Sequence, residues 1–146
     1  MIEIVIHNDY AEIVRVNRAL DELADQHALP VTLIPKLKTV IDEVLGNVIM
    51  HGYADQQVHE ITTRIEFTEN RLVVIITDDG VPFNPLDFPA PDIETGLEDR
   101  KIGGLGIHIV RNMMDDMSYQ RRGDQNLLTL IKELKVTDPG NEQTDT

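Results

Sequence analysis

The chain has 146 residues, 41% of them hydrophobic, enough for one complete core and too few for two comfortable domains. Its 26 acidic residues stand against 13 basic ones, a formal charge of -13, and a field of that sign repels phosphate backbones, which argues against direct nucleic-acid binding through a general basic surface. Cysteine is absent, which excludes a disulfide framework, a thiolate zinc site and a cysteine nucleophile, and no apolar run approaches the roughly 20 residues of a membrane helix.

The opening MIEIVIHNDY lacks a basic n-region and a long apolar h-region, so a soluble cytoplasmic protein is expected, and its β-branched IEIVI reads as a first strand. From Asp9 the apolar residues Ile13, Val14, Val16, Leu20, Leu23 and Ala24 recur at helical spacing until His27, Leu29 and Pro30 end the run. Between Val31 and Gly52 the stripe Leu37, Val40, Ile41, Val44, Leu45, Val48 and Ile49 predicts a second helix, closed by a C-cap at Gly52. HEITTRIEFTEN and RLVVIITDDG follow as two strand-like runs, read together as an antiparallel hairpin. The stretch from Gly80 to Arg100 holds four prolines and no sustained period, the mark of a functional connection, here a candidate lid. A third helix is predicted from Leu105 to Met114, then MSYQRR and NLLTLIKEL as a final hairpin turning at Gly123-Asp124. Residues 1–136 form one domain on this reading, and the polar 137–146 form a frayed tail. The order predicts an α+β two-layer sandwich, a mixed and mostly antiparallel sheet with helices on one face.

Three clusters carry candidate chemistry. Glu43 and Asn47, four residues apart, share a helix face: a carboxylate there can act as a base, and a carboxamide oxygen suits Mg²⁺. A solvated helix face is the plainer reading of that pair alone. At the end of a buried strand, Asp78 can accept from an exocyclic amine such as adenine's, and Gly80 lets backbone approach a flat ring, although a plain Asp-Gly turn has the same letters. Gly103, Gly104 and Gly106 precede a helix, whose free N–H groups and dipole suit a phosphate, or else they form a lid hinge. Arg100 and Lys101 beside them are phosphate neighbours or solvated charges. His51 lies one turn after Asn47, but no histidine here has metal-ligand spacing, so a capping or core role is preferred for it.

In their order DEVLGNVIMHGY, TDDGVPF and GGLGIHIVRNMMDDMSY resemble the GHKL ATPase superfamily, the Bergerat fold of gyrase-type ATPases and histidine kinases. Within it the chain is most similar to the small bacterial anti-sigma factor/serine-protein kinases of the RsbW and SpoIIAB type, over roughly residues 1–136. The resemblance implies ATP or ADP with Mg²⁺ as ligands, Glu43 as general base, Asn47 as the magnesium ligand and Asp78, with Gly80 beside it, as reader of the adenine amino group. It further implies that Gly103, Gly104 and Gly106 wrap the phosphates and hinge the lid, and that Thr129 lies near adenine. Pro82 stands where many relatives have glycine, which stiffens the start of the lid. The implied partners are a STAS-domain antagonist that receives a phosphate on serine, a sigma factor that is sequestered, and a second copy in a homodimer. A nucleotide-sensing binding module without kinase turnover is the alternative function.

Overall fold

The computed structural model describes residues 1–68, 70–87 and 102–134, with backbone alone for 102–105. Strand β1 (Ile2–His7) turns Ile2, Ile4 and Ile6 toward the core, and helix α1 (Ile13–His27) answers with Ile13, Val16, Leu20 and Leu23. A short 3₁₀ turn at Tyr10–Glu12 precedes α1, where the Asp9 carboxylate accepts from Ala11 N–H at 3.0 Å. Ala28 ends the helix in the left-handed region, φ 50°, its N–H bonded back to Ala24. Helix α2 (Leu33–His51) buries Leu37, Val40, Ile41, Val44 and Leu45 to 2% exposure or less. At roughly 1.5 to 3 kcal/mol for each such side chain, this stripe fixes which face of α2 meets the sheet. The polar flank is fixed with it, and Glu43 and Asn47 ride on that flank.

Strands β2 (Glu60–Thr68), β3 (Arg71–Asp78), β4 (Asp116–Arg122) and β5 (Gln125–Glu133) complete a five-stranded sheet in the order β1-β2-β3-β5-β4. All four described pairings are antiparallel, so the sheet is more uniform than the mixed one expected. The chain leaves β3, crosses over through helix α3 (Ile102–Met113), lays down β4 at the edge and returns as β5 to fill the place beside β3. Gly123, at φ +58°, makes the tight β4–β5 turn where the sequence predicted it. The three described α-helices are on one side: Ile61, Ile65, Leu72, Val74, Ile76, Leu128 and Leu130 face them in a single core.

This topology makes β3 and β5 direct neighbours and sets Asp78 opposite Asn126 at their ends. The floor of a cleft therefore forms where β3 runs out, between α2 and α3. Of the candidate lid, residues 80–87 are described, with a 3₁₀ turn at Pro85–Asp87; residues 88–100 and the expected tail lie outside the described residues. No described helix is long and apolar enough to cross a membrane.

Candidate functional site

A cleft open to solvent lies over the ends of β3 and β5. Ile76 and Leu128 form its floor, Val44, Asn47 and Val48 one wall, Ile107 of α3 another, and Val81, Phe83 and Pro85 its rim. Asp78 and Asn126 are the polar groups at its base. Such a slot, apolar on its broad faces with few convergent polar atoms, suits a flat heterocycle.

Asp78 is 6% exposed, and burial lifts its carboxyl above the usual carboxylate value. Hydrogen bonds to the ionised form oppose that lift: Asn126 Nδ2 donates to Oδ1 at 3.0 Å and Gly80 N–H donates to the same oxygen at 2.8 Å. Asp79, next along the chain, points elsewhere. Its carboxylate meets His59 Nδ1 at 3.3 Å while Asp55 holds Nε2 at 2.8 Å, and the Tyr53 ring stacks on the imidazole with centroids 4.3 Å apart. Asp55 foremost, with Asp79, raises the His59 ring above its usual value, while burial and the nearby Asp78 and Asp79 charges raise the Tyr53 phenol. The effect is to tie the segment after α2 to the end of β3.

Gly80 earns its place for a reason other than the one its sequence indicates. A Cβ there would lie 2.7 Å from Gly52 O and 3.0 Å from Gly52 Cα, so the glycine permits close approach of two backbones within the protein, whatever ring lies above. Val81 N–H completes the weld by donating to Gly52 O at 2.9 Å. Gly52 itself is the C-cap of α2, as expected, but in right-handed helical geometry with its N–H on Val48 O. The end of α2 and the end of β3 are thereby fixed against each other, and the distance between the Asn47 and Asp78 backbones with them.

The other end of the cleft lies between α2 and α3. Asn47 is 8% exposed, and its amide nitrogen is buried without a hydrogen-bond partner among the described residues. One turn earlier, the Glu43 carboxylate lies directly against Gly106, where a Cβ would come within 2.1 Å of Oε2. Helix α3 begins at Ile102, earlier than expected, so Gly103 and Gly104 stand within its first turn and do not precede it. The first four N–H groups of a helix lack partners inside it, so the anion-binding argument carries over to that turn. Farther along, Arg111 of α3 donates to Leu86 O and anchors the rim.

Of the predicted site residues, Asn47 and Asp78 line the cleft; Gly80 packs on Gly52 just behind Asp78, and Glu43 lies against Gly106, the residue before Ile107 of the cleft wall. Arg100 and Lys101 lie outside the described residues. Thr129 is not brought to the cleft: it pairs with Ile75 and Ser118 and lines a recess on the opposite, helix-free face of the sheet. Asn126, Leu128 and Leu130 are the residues of β5 that face the helices, and Asn126 at 5% exposure is the polar one among them. Sequence reasoning missed it. A lone carboxamide at the start of an apolar strand was the available signal. His51, left as a capping or core residue, stacks on Phe83 at the rim with ring centroids 5.8 Å apart.

Five antiparallel strands under one layer of helices, with a buried carboxylate at a strand end and a carboxylate-carboxamide pair on the facing helix, define a Bergerat-type ATPase domain. The sequence profile of the histidine kinase-like ATPase domain matches residues 6–132, and the chain belongs to that family. Among curated proteins it is 32% identical over 89 residues to the serine/threonine-protein kinase BtrW of Bordetella bronchiseptica, covering 61% of this chain and 63% of the relative. It is 29% identical over 119 residues to the serine-protein kinase RsbW of Bacillus velezensis, covering 77% and 71%, and 26% identical over 84 residues to the anti-sigma F factor of Oceanobacillus iheyensis, covering 58% and 58%. The match to BtrW and that to the anti-sigma F factor therefore each span less than two thirds of the relative. Among solved structures, the histidine kinase domain of the Erythrobacter litoralis EL346 blue-light activated histidine kinase superposes with a TM-score of 0.56 at 20% identity, over 92% of this chain and 63% of that one. That likeness shows the shared fold.

Proposed function

We propose that this chain is an ATP-binding anti-sigma factor with serine-protein kinase activity, which phosphorylates a STAS-type antagonist and sequesters a sigma factor. The observation that carries the reading is the division of the cleft: an apolar slot ending in Asp78 on one side, and Glu43 with Asn47 beside the glycine-rich start of α3 on the other.

In this reading the purine ring enters the slot and Asp78 accepts from its amino group. The phosphates extend toward the first turn of α3, where Gly103 and Gly104 present bare backbone. Asn47 fits a hard cation through its side-chain oxygen, while its buried, unpaired amide nitrogen is a donor that a phosphate oxygen can satisfy, an orphaned state that otherwise costs about 1 to 3 kcal/mol. Bound there, Mg²⁺ would neutralise charge on the transferring phosphates. Glu43 accepts the proton of the attacking serine hydroxyl, and its carboxylate is held in position by contact with Gly106. Positioning of this kind accounts for most of phosphoryl transfer, which asks for little covalent chemistry from the protein. The names of BtrW, RsbW and the anti-sigma F factor support the kinase and anti-sigma roles.

The test is transfer of label from γ-labelled ATP to a STAS-domain protein, paired with capture of a sigma factor. Wild-type protein should label the antagonist on serine, and Glu43→Gln should abolish labelling while nucleotide still binds. Nucleotide binding and sigma capture without transfer by the wild type would replace this reading with that of a sensing module.

A further inference from the structure

The oxygens of Asp78 are unequal. Oδ1 accepts from both Asn126 Nδ2 and Gly80 N–H, at 3.0 and 2.8 Å, whereas Oδ2 has no hydrogen bond among the described residues. Asn126 is responsible for half of that asymmetry, and its own amide is fully used. Nδ2 donates to Asp78 Oδ1 and, at 2.9 Å, to Val81 O; Oδ1 accepts from Arg121 Nη1 at 3.1 Å and from the Tyr119 hydroxyl.

Which way the amide faces follows from donor chemistry. A guanidinium only donates, so the end of Asn126 that meets Arg121 must be its oxygen, and the NH₂ must then face Asp78 and the Val81 carbonyl. Arg121 is itself fixed twice more, with Nη1 on Gly80 O at 2.8 Å and Nε on Gly123 O at 3.1 Å. The guanidinium, the amide and the carboxylate form a chain that runs from the β4–β5 turn to the base of the cleft. With both acceptor sites of Oδ1 filled from within the protein, the carboxylate cannot rotate without breaking two buried hydrogen bonds. Its free oxygen is therefore the one left for a ligand donor.

We propose that Asn126, oriented by Arg121, is a positioning residue that makes Asp78 a one-oxygen acceptor for the amino group of a purine, and so sets the preference for a 6-amino base. This rests on the reading that the cleft takes the base of ATP. It adds two residues, Arg121 on β4 and Asn126 on β5, whose part is to hold Asp78 in place.

The experiment compares affinities for ATP and for purine riboside triphosphate, which is ATP without its 6-amino group, in the presence of Mg²⁺. Wild-type protein should prefer ATP by about tenfold or more, the worth of one hydrogen bond to a carboxylate. Asn126→Leu should bring the ratio close to one, and Arg121→Met should leave it between that and the wild-type value, with the loss in each falling on ATP more than on the deaminated analogue. Thermal unfolding establishes that each variant is folded, and Arg121→Met, at a partly exposed site, serves if Asn126→Leu is not. An unchanged ratio in a folded variant, or an equal loss for both nucleotides, overturns the proposal while the base reading stands. No preference in the wild type overturns the base reading and the proposal together.

Discussion

The two ends of the cleft solve opposite problems. At the base end Asp78, Asn126, Arg121 and the Gly80 and Val81 carbonyls satisfy one another, and two glycines weld the backbone beneath them. At the helix end Asn47 has a buried nitrogen without a partner and Glu43 rests against a bare Cα. Recognition of a fixed shape calls for a pre-organised site, whereas transfer calls for groups whose hydrogen-bonding capacity is left for ligand and phosphate. The fold provides both because one end is built on the sheet and the other between two helices.

Mutations at either end should separate these properties. Gly106→Ala introduces a Cβ within 2.1 Å of Glu43 Oε2, which must move; a shift of about 1 Å can cost on the order of 10²-fold in rate, so transfer should fall steeply while nucleotide affinity changes little. Single-turnover kinetics beside equilibrium binding will show the split. Gly80→Ala acts on the other end, forcing a Cβ to 2.7 Å from the Gly52 carbonyl, and should lower stability by about 1 to 3 kcal/mol in denaturant unfolding. Asn47→Ala removes an orphaned buried group, so stability should hardly change, but Mg²⁺-dependent nucleotide affinity should drop about tenfold in calorimetry.

The smallest effect concerns Asp78 and pH. Burial lifts its folded value above the ordinary 3.8, so the folded chain binds that proton more tightly than the unfolded one. This contribution to stability is complete below 3.8 and is lost as pH rises through the lifted value. Asp78→Asn keeps an acceptor for Asn126 and Gly80 but has no proton to lose. Its stability relative to wild type should therefore increase with pH across that window and level off above it, as urea unfolding at a series of pH values would show, and its preference for ATP over the deaminated analogue should vanish.

Much of this was legible in the sequence because it is local. Helical stripes, strand alternation and the Gly123 turn each show their period or turn chemistry within a few residues, and Glu43 with Asn47 needed only the helix repeat to share a face. Asp78 was placed by the apolar run before it. What stayed hidden depends on partners distant in sequence. Strand β5 carries Leu127 and Ile131 on one face and Leu128 and Leu130 on the other, so its pattern does not tell the core side from the open side. The resemblance puts Thr129 near adenine and that pattern offers nothing against it, whereas the register that sets Asn126 opposite Asp78 places it on the far face. Gly52 and Gly80 meet only in the folded chain, and the weld between them explains a glycine that the sequence assigns to ligand approach.

The most direct test of the central claim, that one cleft reads the base of a nucleotide and presents its phosphates to Glu43, is thermal unfolding during titration with Mg·ATP, run in parallel on wild type and Glu43→Gln. Both proteins should be stabilised alike, by about 2.7 kcal/mol once ATP reaches 100 times its Kd. Absence of a shift in either protein at millimolar nucleotide would contradict the account.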